Sequence, residues 1–511
     1  MGKAEIWKAE SRKGSACVSG AVFGLPDKAL ATVGVSPNTF FLFFVATALL
    51  AGCAVGPNYR TPPSHPPPEW ASPLGGGETN LSSADVQWWK SFRDAELDSL
   101  IARAAESNLN LRAAWARVRQ ARFERGMAEA GFWPTLDANA SYSRNRASAT
   151  GLLPFPPGTP LEANLFQGGF DSAWELDIFG GTRRSVEAAG AELAAAEFGR
   201  RNLLLTVYGE VARNYVQARA FQRRLAVLRE DIKAQQDILA LTRDLFAKGL
   251  ATDLDVQQGA GLLATTQSQE PAFDTGFRAC AYRLAVLMGL PPGALLEELS
   301  LRAPIPAAPP AVPVGLPSDL IHRRPDIQQA ERQLAAATAR IGIATADLFP
   351  QFSLTGDIGL ESIYASDWFT AGSRYWSAGP MVQWRIFDAG RIRANIHLQT
   401  ARQEEALAGY EQAVLAAFED VENALTAYAH EQVRRQSLAR AVEADEHAVG
   451  LAEQLYRNGL ADFLRVLESQ RSLYQSQDAL IESDQAVSAN LIALYKALGG
   501  GWEQGELKVK K

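Results

Sequence analysis

Residues able to do chemistry are few in this chain, and one thiol stands out. The 511 residues include five histidines, His65, His322, His397, His430 and His447, scattered so that no two stand at metal-ligand spacing. His322, beside Arg323 and Arg324, reads as a solvated linker side chain. No phosphate-binding loop or nucleophile motif is present, so neither an enzyme nor a bound cofactor or metal is expected. Cys53 closes Leu50-Ala51-Gly52-Cys53 at the end of an uncharged run from Thr39. That run is short for a membrane-spanning helix and fits the apolar core of a secretory signal. Small residues before a cysteine are what a signal peptidase that cleaves at lipid-modified cysteines requires. The expected chemistry is therefore cleavage before Cys53 and a covalent lipid on its thiol; an ordinary buried cysteine is the alternative. Ala54 follows, not the Asp that retains lipoproteins at the inner membrane of enteric bacteria. Cys17 would leave with the signal, so Cys280 remains alone and no internal disulfide is expected.

The charged residues with the most regular spacing lie in four stretches where apolar and polar residues alternate: 135–143, 170–178, 351–361 and 376–386. Period two assigns each set to one face of a β-strand. Asp137, Asp171, Glu175, Asp357 and Arg385 fall on the polar face, and Leu136, Phe170, Trp174, Ile358, Trp376 and Trp384 on the other. A half-buried sheet of a soluble protein reads this way, and so does a barrel strand with lipid outside and water inside. Beyond the N-terminal region no stretch is apolar over the roughly 18 residues a spanning helix needs, so any crossing of a membrane is made by strands. The net charge of −7 carries no nucleic-acid footprint.

The elements that position these strands repeat. After a Pro-rich tether, Pro57 to Pro68, a helix over 94–131 ends at Phe132-Trp133-Pro134 and the first strand begins. The second strand ends at Phe179-Gly180-Gly181, and a helix without proline runs from about 182 to 248. Leu204, Tyr208, Val211 and Tyr215 have coiled-coil spacing. A break at Lys248-Gly249-Leu250-Ala251 leads into a helix reaching about Gly289, with a kink expected near Pro271 and Gly276. A second Pro-rich linker, Pro291 to Pro317, separates the halves. The order then recurs: a helix from Asp326 to Leu348, Phe349-Pro350, two strands, a long helix from about 391 to 457, the break Arg457-Asn458-Gly459-Leu460-Ala461, and a last helix to Leu498.

Four strands cannot close a barrel, and open edges in lipid leave backbone groups unpaired at several kcal/mol each. Other copies must complete the sheet. Two copies would give eight strands with a filled interior and three would give twelve, able to hold a water-filled lumen lined by the acidic face.

Leu316-Pro317-Ser318-Asp319-Leu320, Arg323-Arg324-Pro325-Asp326-Ile327, the Phe349-Pro350 strand entry, Gly459 with Val466-Leu467, and Tyr495-Lys496-Ala497-Leu498-Gly499-Gly500-Gly501-Trp502 resemble the outer membrane factor family. These are TolC-like outer-membrane efflux lipoproteins of Gram-negative bacteria, in the branch typified by the OprM and NodT proteins. The similarity covers about Cys53 to Trp502. It implies a mixed, mainly α fold with a two-fold internal repeat of helix, strand, strand, long helix, helix. It further implies a homotrimer whose twelve-stranded β-barrel sits in the outer membrane above an α-helical barrel in the periplasm. A periplasmic adaptor protein and an inner-membrane RND-type pump are the partners it implies. The role would be a passive exit duct; a trimeric lipoprotein spacer without an open lumen and an exit duct for type I protein secretion are the alternatives.

The expected organisation is a signal and extension at 1–52, a lipid-anchored tether at 53–93, a first repeat at 94–290, a linker at 291–317, a second repeat at 318–502 and a tail at 503–511. The far ends of the long helices are expected near 219–224 and 427–434, which puts Glu419 and Asp420 just before the second end. Repeated around a threefold axis, these two acids are the candidate gate, with a solvated helix face as the alternative.

Overall fold

Two helices of 67 residues each set the dimensions of the molecule, α3 (Gly181–Ala247) and α9 (Arg391–Arg457). At 1.5 Å per residue each is about 100 Å long. The computed structural model describes residues 54–502 apart from 64–65, 73–77, 80–86, 151–155, 157, 159 and 310–311. The expected signal segment, Cys53, His65 and the 503–511 tail lie outside the described residues.

The remaining helices are α1 (Ala95–Ser107), α2 (Leu109–Ala130), α4 (Asp253–Gln267), α5 (Glu270–Leu287), α6 (Leu296–Ser300), α7 (Pro317–Arg323), α8 (Pro325–Ala346) and α10 (Phe463–Ala497). A two-residue parallel pair joins β1 (Glu78–Thr79) to β4 (Val312–Pro313). The other strands, β2 (Thr135–Arg146), β3 (Glu162–Leu176), β5 (Gln351–Ser362) and β6 (Arg374–Gln383), form one antiparallel sheet in the order β2-β3-β5-β6.

Each long helix starts the same way. A left-handed glycine, Gly180 at φ 82° or Gly390 at φ 86°, turns the chain out of the sheet. An aspartate then caps the first turn: Asp177 accepts from the N–H groups of Thr182 and Arg183, and Asp388 from those of Gly390 and Ile392. Each ends the same way too. Gly249 and Gly459 are left-handed, and Leu250 and Leu460 donate back to Leu245 and Leu455 in Schellman closures.

The shorter helices stack end to end to match the long ones. The Asn108 side chain at the head of α2 donates to the Leu287 carbonyl at the foot of α5, and Ser107 donates to Met288. At the other junction Arg324, heading α8, donates to Ala497 at the foot of α10. Four helical columns result. Next to the sheet they pack α2–α3–α8–α9; on the far side α3 is flanked by α4/α5 and α10, and α10 packs on α9. The main core is a belt around the midpoints of the long helices. Trp88 stacks on Tyr495 at 5.5 Å, Trp89 meets Tyr208 at 4.7 Å, and Tyr215, Leu284, Val421, Tyr428 and Leu491 are buried with them.

Several expectations change. The 94–131 helix is two helices, because Asn108 ends one and caps the next, its side chain accepting from Leu111 N–H. The kink expected near Pro271 is a break at Ser268–Gln269, with the proline in the first turn of α5 where its missing N–H costs nothing. β3 begins at Glu162, earlier than the alternation indicates, and β6 ends at Gln383, so Arg385 lies beyond the sheet. The first Pro-rich segment is extended but docked. Tyr59 donates to Glu331, and Trp70 donates to the Gly315 carbonyl and packs on Phe418.

Candidate channel wall and its anchors

Uniform antiparallel register across all three strand pairs gives the sheet two clean faces. Asp137 stands opposite Asp171, Asp171 opposite Asp357, and Asp357 opposite Ser377. Three of the carboxylates singled out from sequence thus form one cross-strand row, with neighbours about 5 Å apart at the backbone. Asn139 donates to Asp171 within it. Glu175 and Glu361 share this face, which contains no arginine or lysine within the strands. Between them Gly169 faces Gly359. The Tyr375 ring lies over Gly359, where any Cβ would come within 2.8 Å of it, and the Gln167 amide donates to the Tyr375 hydroxyl. Arg385 does not join this wall, because the chain has left β6 before reaching it.

The opposite face is apolar and uncovered. Along the rung Ala138–Phe170–Ile358–Trp376, the last three side chains are 55%, 62% and 77% exposed. Aromatic groups mark its two ends. Near the helices, Trp174 donates its indole N–H to the Phe132 carbonyl and Trp384 to the Leu348 carbonyl. At the far end Tyr142, Phe166, Trp368 and Phe369 pack in sequence. From Trp174 to Phe166 is eight residues along β3, about 26 Å. At the roughly 40° tilt of barrel strands this projects to about 20 Å along the barrel axis, somewhat less than the roughly 25 Å apolar band that aromatic girdles bound on membrane barrels. Strands β2 and β6 each leave one edge unpaired among the described residues, and the helices continuing from those edges, α2 and α9, each leave an uncovered flank.

The junction of sheet and helices holds the chain that follows Cys53. Val55 N–H donates to Phe179. Buried Arg184 donates to the carbonyls of Val55 and Gly56 and to the Asn58 side chain, and pairs with Glu187 at 2.6 Å. Ala54 sits so close to Gly180 that a Cβ there would lie 2.6 Å from its Cα. Cys53 itself is outside the described residues, but its neighbour is fixed at the sheet's helical end. None of this clamp was evident from sequence; Arg184 is one of a pair of arginines in a helix start that shows no special spacing. Farther on, the Glu422 carboxylate accepts the N–H groups of Ala71 and Ser72 at 2.7 and 3.0 Å. Burial works to raise its pKa, but the Ser72 side chain and these two backbone donors hold it below the ordinary value.

The candidate gate is not at a helix end. Glu419 and Asp420 lie near the middle of α9, which continues unbroken to Arg457. Asp420 pairs with Arg324 at 3.0 Å, and Glu419 is exposed. The expected far ends near 219–224 and 427–434 are also internal. Arg219 is fully buried, held by Glu96 and the Leu299 and Leu301 carbonyls, and Arg224 pairs with Asp478 and Glu482. Tyr428 is buried and Arg434 pairs with Glu431. Those positions lie at the helix midpoints, where the equatorial core packs, and the glycine breaks at Gly249 and Gly459 mark the true ends. Leu250 and Leu460 are 73% and 74% exposed there.

Other proteins share this arrangement. The sequence profile of a family described as outer membrane efflux protein matches residues 100–290 and again 316–500. The chain is 34% identical over 454 residues to nodulation protein T of Rhizobium leguminosarum bv. trifolii, spanning 89% of this chain and 96% of that protein. It is 35% identical over 453 residues to the pyoverdine export outer membrane protein OpmQ of Pseudomonas putida, spanning 87% and 94%. It superposes on the solved outer-membrane channel OprN with a TM-score of 0.82 at 35% identity, covering 88% of this chain and 100% of that one. The paired long helices and the four-stranded sheet thus share the fold of a solved outer-membrane channel, and the chain belongs to the outer membrane efflux protein family.

Proposed function

We propose that three copies of this chain close into one conduit, the exit duct of a tripartite efflux system. The acidic face lines the lumen, the apolar face meets outer-membrane lipid, and the four helical columns of each copy form a third of a periplasmic tunnel. The observation that carries this reading is that sheet and helices share one lateral order. β2-β3-β5-β6 stands over α2–α3–α8–α9, so both layers are open along the same two flanks. A head-to-tail ring closes strand edges and helix flanks in one operation. Three copies supply the twelve strands that the family resemblance implies, and eight from two copies would be filled by side chains.

On this reading the chain is a tandem duplication, with halves near 94–290 and 318–502. Cys53 carries a lipid that sits in the inner leaflet beside the Ala54 clamp. The constriction belongs to the far turns around 248–252 and 458–462, whose exposed Leu250 and Leu460 offer the adaptor an apolar hold. The pump selects the cargo; the duct does no catalysis.

The test is single-channel conductance in planar bilayers, with the mass in detergent measured on the same preparation and corrected for bound detergent. A conducting trimer is expected. A stable monomer removes the shared barrel, and a trimer without conductance is a structural spacer.

A further inference from the structure

The charges on the apolar face of the sheet are not scattered. Across the four strands this face carries four charged residues, Arg144, Arg146, Glu162 and Arg374. All lie at the strand ends farthest from the helices. Arg144 and Arg146 stand just beyond Tyr142, whose ring belongs to the outer aromatic group. Both pair with the same carboxylate, Glu162, at 2.7 and 3.4 Å. Their side chains remain 65% and 71% exposed. Arg374, the first residue of β6 on the same face, has no ion pair among the described residues. The opposite face has five acids and no base within the strands. The two faces therefore differ in charge: five acids and no base on one, three arginines and one acid at the far strand ends of the other.

Three arginines against one carboxylate leave an excess of positive charge where the apolar band ends. In a ring of three copies, nine guanidinium groups face three carboxylates around the rim. β6 of one copy then adjoins β2 of the next, which brings Arg374 toward Arg144 and Arg146. An anion at this height resolves the imbalance. Guanidinium favours phosphate because its planar donors match phosphate oxygens two at a time.

We propose that Arg144, Arg146 and Arg374 form a binding rim for phosphorylated lipid headgroups of the outer leaflet, each site shared between adjacent copies. This rests on the reading of the apolar face as the lipid face. The single carboxylate sets its strength, since Glu162 competes with the lipid phosphate for two of the three arginines.

The experiment compares wild type, Arg144→Ala/Arg146→Ala/Arg374→Ala, the corresponding triple lysine variant, and Glu162→Gln. Each is reconstituted into vesicles and, separately, delipidated in detergent. There it is titrated with phosphorylated lipid A, the same lipid stripped of phosphate, and inorganic phosphate, with binding read by native mass spectrometry. At about 1 kcal/mol for each basic residue near a charged membrane surface, the alanine variant should bind the phosphorylated lipid roughly a hundredfold more weakly. The lysine variant should fall between, and Glu162→Gln should bind more tightly than wild type. The stripped lipid should bind all four proteins alike. Equal binding of phosphorylated lipid by wild type and the alanine variant would overturn the proposal. So would displacement of that lipid by inorganic phosphate at matched concentration, which would mark a free-anion site. If wild type fails to insert into vesicles, the lipid-face reading falls and the rim with it. If all variants insert and bind alike, only the rim falls.

Discussion

Neutralising the cross-strand carboxylate row tests the channel wall most directly. Twelve strands about 4.8 Å apart and tilted about 40° make a barrel with a backbone radius of about 12 Å. Side chains reach inward, so the carboxylates stand about 10 Å from the axis. Three copies of Asp137, Asp171 and Asp357 put nine carboxylates in this zone. At ~10 Å in water one charge attracts a monovalent cation by about 0.4 kcal/mol, and screening at 0.1 M salt reduces this to about 0.15. Nine together give about 1.4 kcal/mol, a tenfold enrichment of cations and a matching depletion of anions. At 1 M salt the Debye length is about 3 Å and the same charges contribute about 0.1 kcal/mol. The perturbation is Asp137→Asn/Asp171→Asn/Asp357→Asn, which keeps side-chain size and the possibility of a hydrogen bond with Asn139. The assay is the reversal potential in a potassium chloride gradient across a planar bilayer at low and high salt. Wild type should be clearly cation-selective at 0.1 M and nearly non-selective at 1 M. The variant should lose most of the low-salt selectivity and keep only what Glu175 and Glu361 sustain. Identical reversal potentials for the two proteins, or selectivity that does not weaken with salt, would refute the assignment of this face to the lumen.

Further outcomes follow from other parts of the chain. Mass spectrometry of the mature protein should find diacylglyceryl and acyl mass on Cys53, and Cys53→Ser should still insert, since the strands carry their own membrane affinity. Glu422→Ala should expose the tether around Ala71 and Ser72 to hydrogen exchange and proteolysis while costing about 1 kcal/mol of stability, two backbone N–H groups losing a charged acceptor that is itself partly solvated. Burial pushes the Asp231 carboxyl up to about 6 from 3.8. The folded state therefore holds the extra proton between these values, and this group makes stability fall as pH rises from about 4 to about 6. Asp231→Asn should abolish that slope and stabilise the protein at pH 8 by on the order of 1 kcal/mol, less than the full shift because the carboxyl still sees water; an unchanged pH profile in thermal unfolding would show that the charge is not buried in solution.

What the sequence disclosed was periodic. Alternation found all four long strands, and the unbroken run without proline found both long helices to within a residue or two. Asp137, Asp171, Glu175 and Asp357 share a face because strand parity is a local property. Arg385 lies outside the sheet because alternation continues past Gln383 while pairing does not. The far tips, expected near 219–224 and 427–434, fall inside the helices for a related reason. The coiled-coil seam passes through the equatorial core without interruption, so nothing in its spacing distinguishes midpoint from end. Gly249 and Gly459, both left-handed, carry that information. The clamp by Arg184 and the tether contact at Glu422 were invisible, since each joins residues more than a hundred positions apart.

The end-to-end stacking of helices has a mechanical consequence. Two of the four columns are spliced at half-height, one through Asn108 and Leu287, the other through Arg324 and Ala497. The other two, α3 and α9, pass the same level as continuous rods. A spliced column yields in bending at its joint, whereas a continuous helix resists along its whole length. Torque applied at the far turns is therefore absorbed mostly at the equator. In the proposed trimeric conduit the lower staves can then splay while the upper staves and the sheet above them hold their curvature, so widening one mouth need not strain the seal that the other mouth would make with lipid.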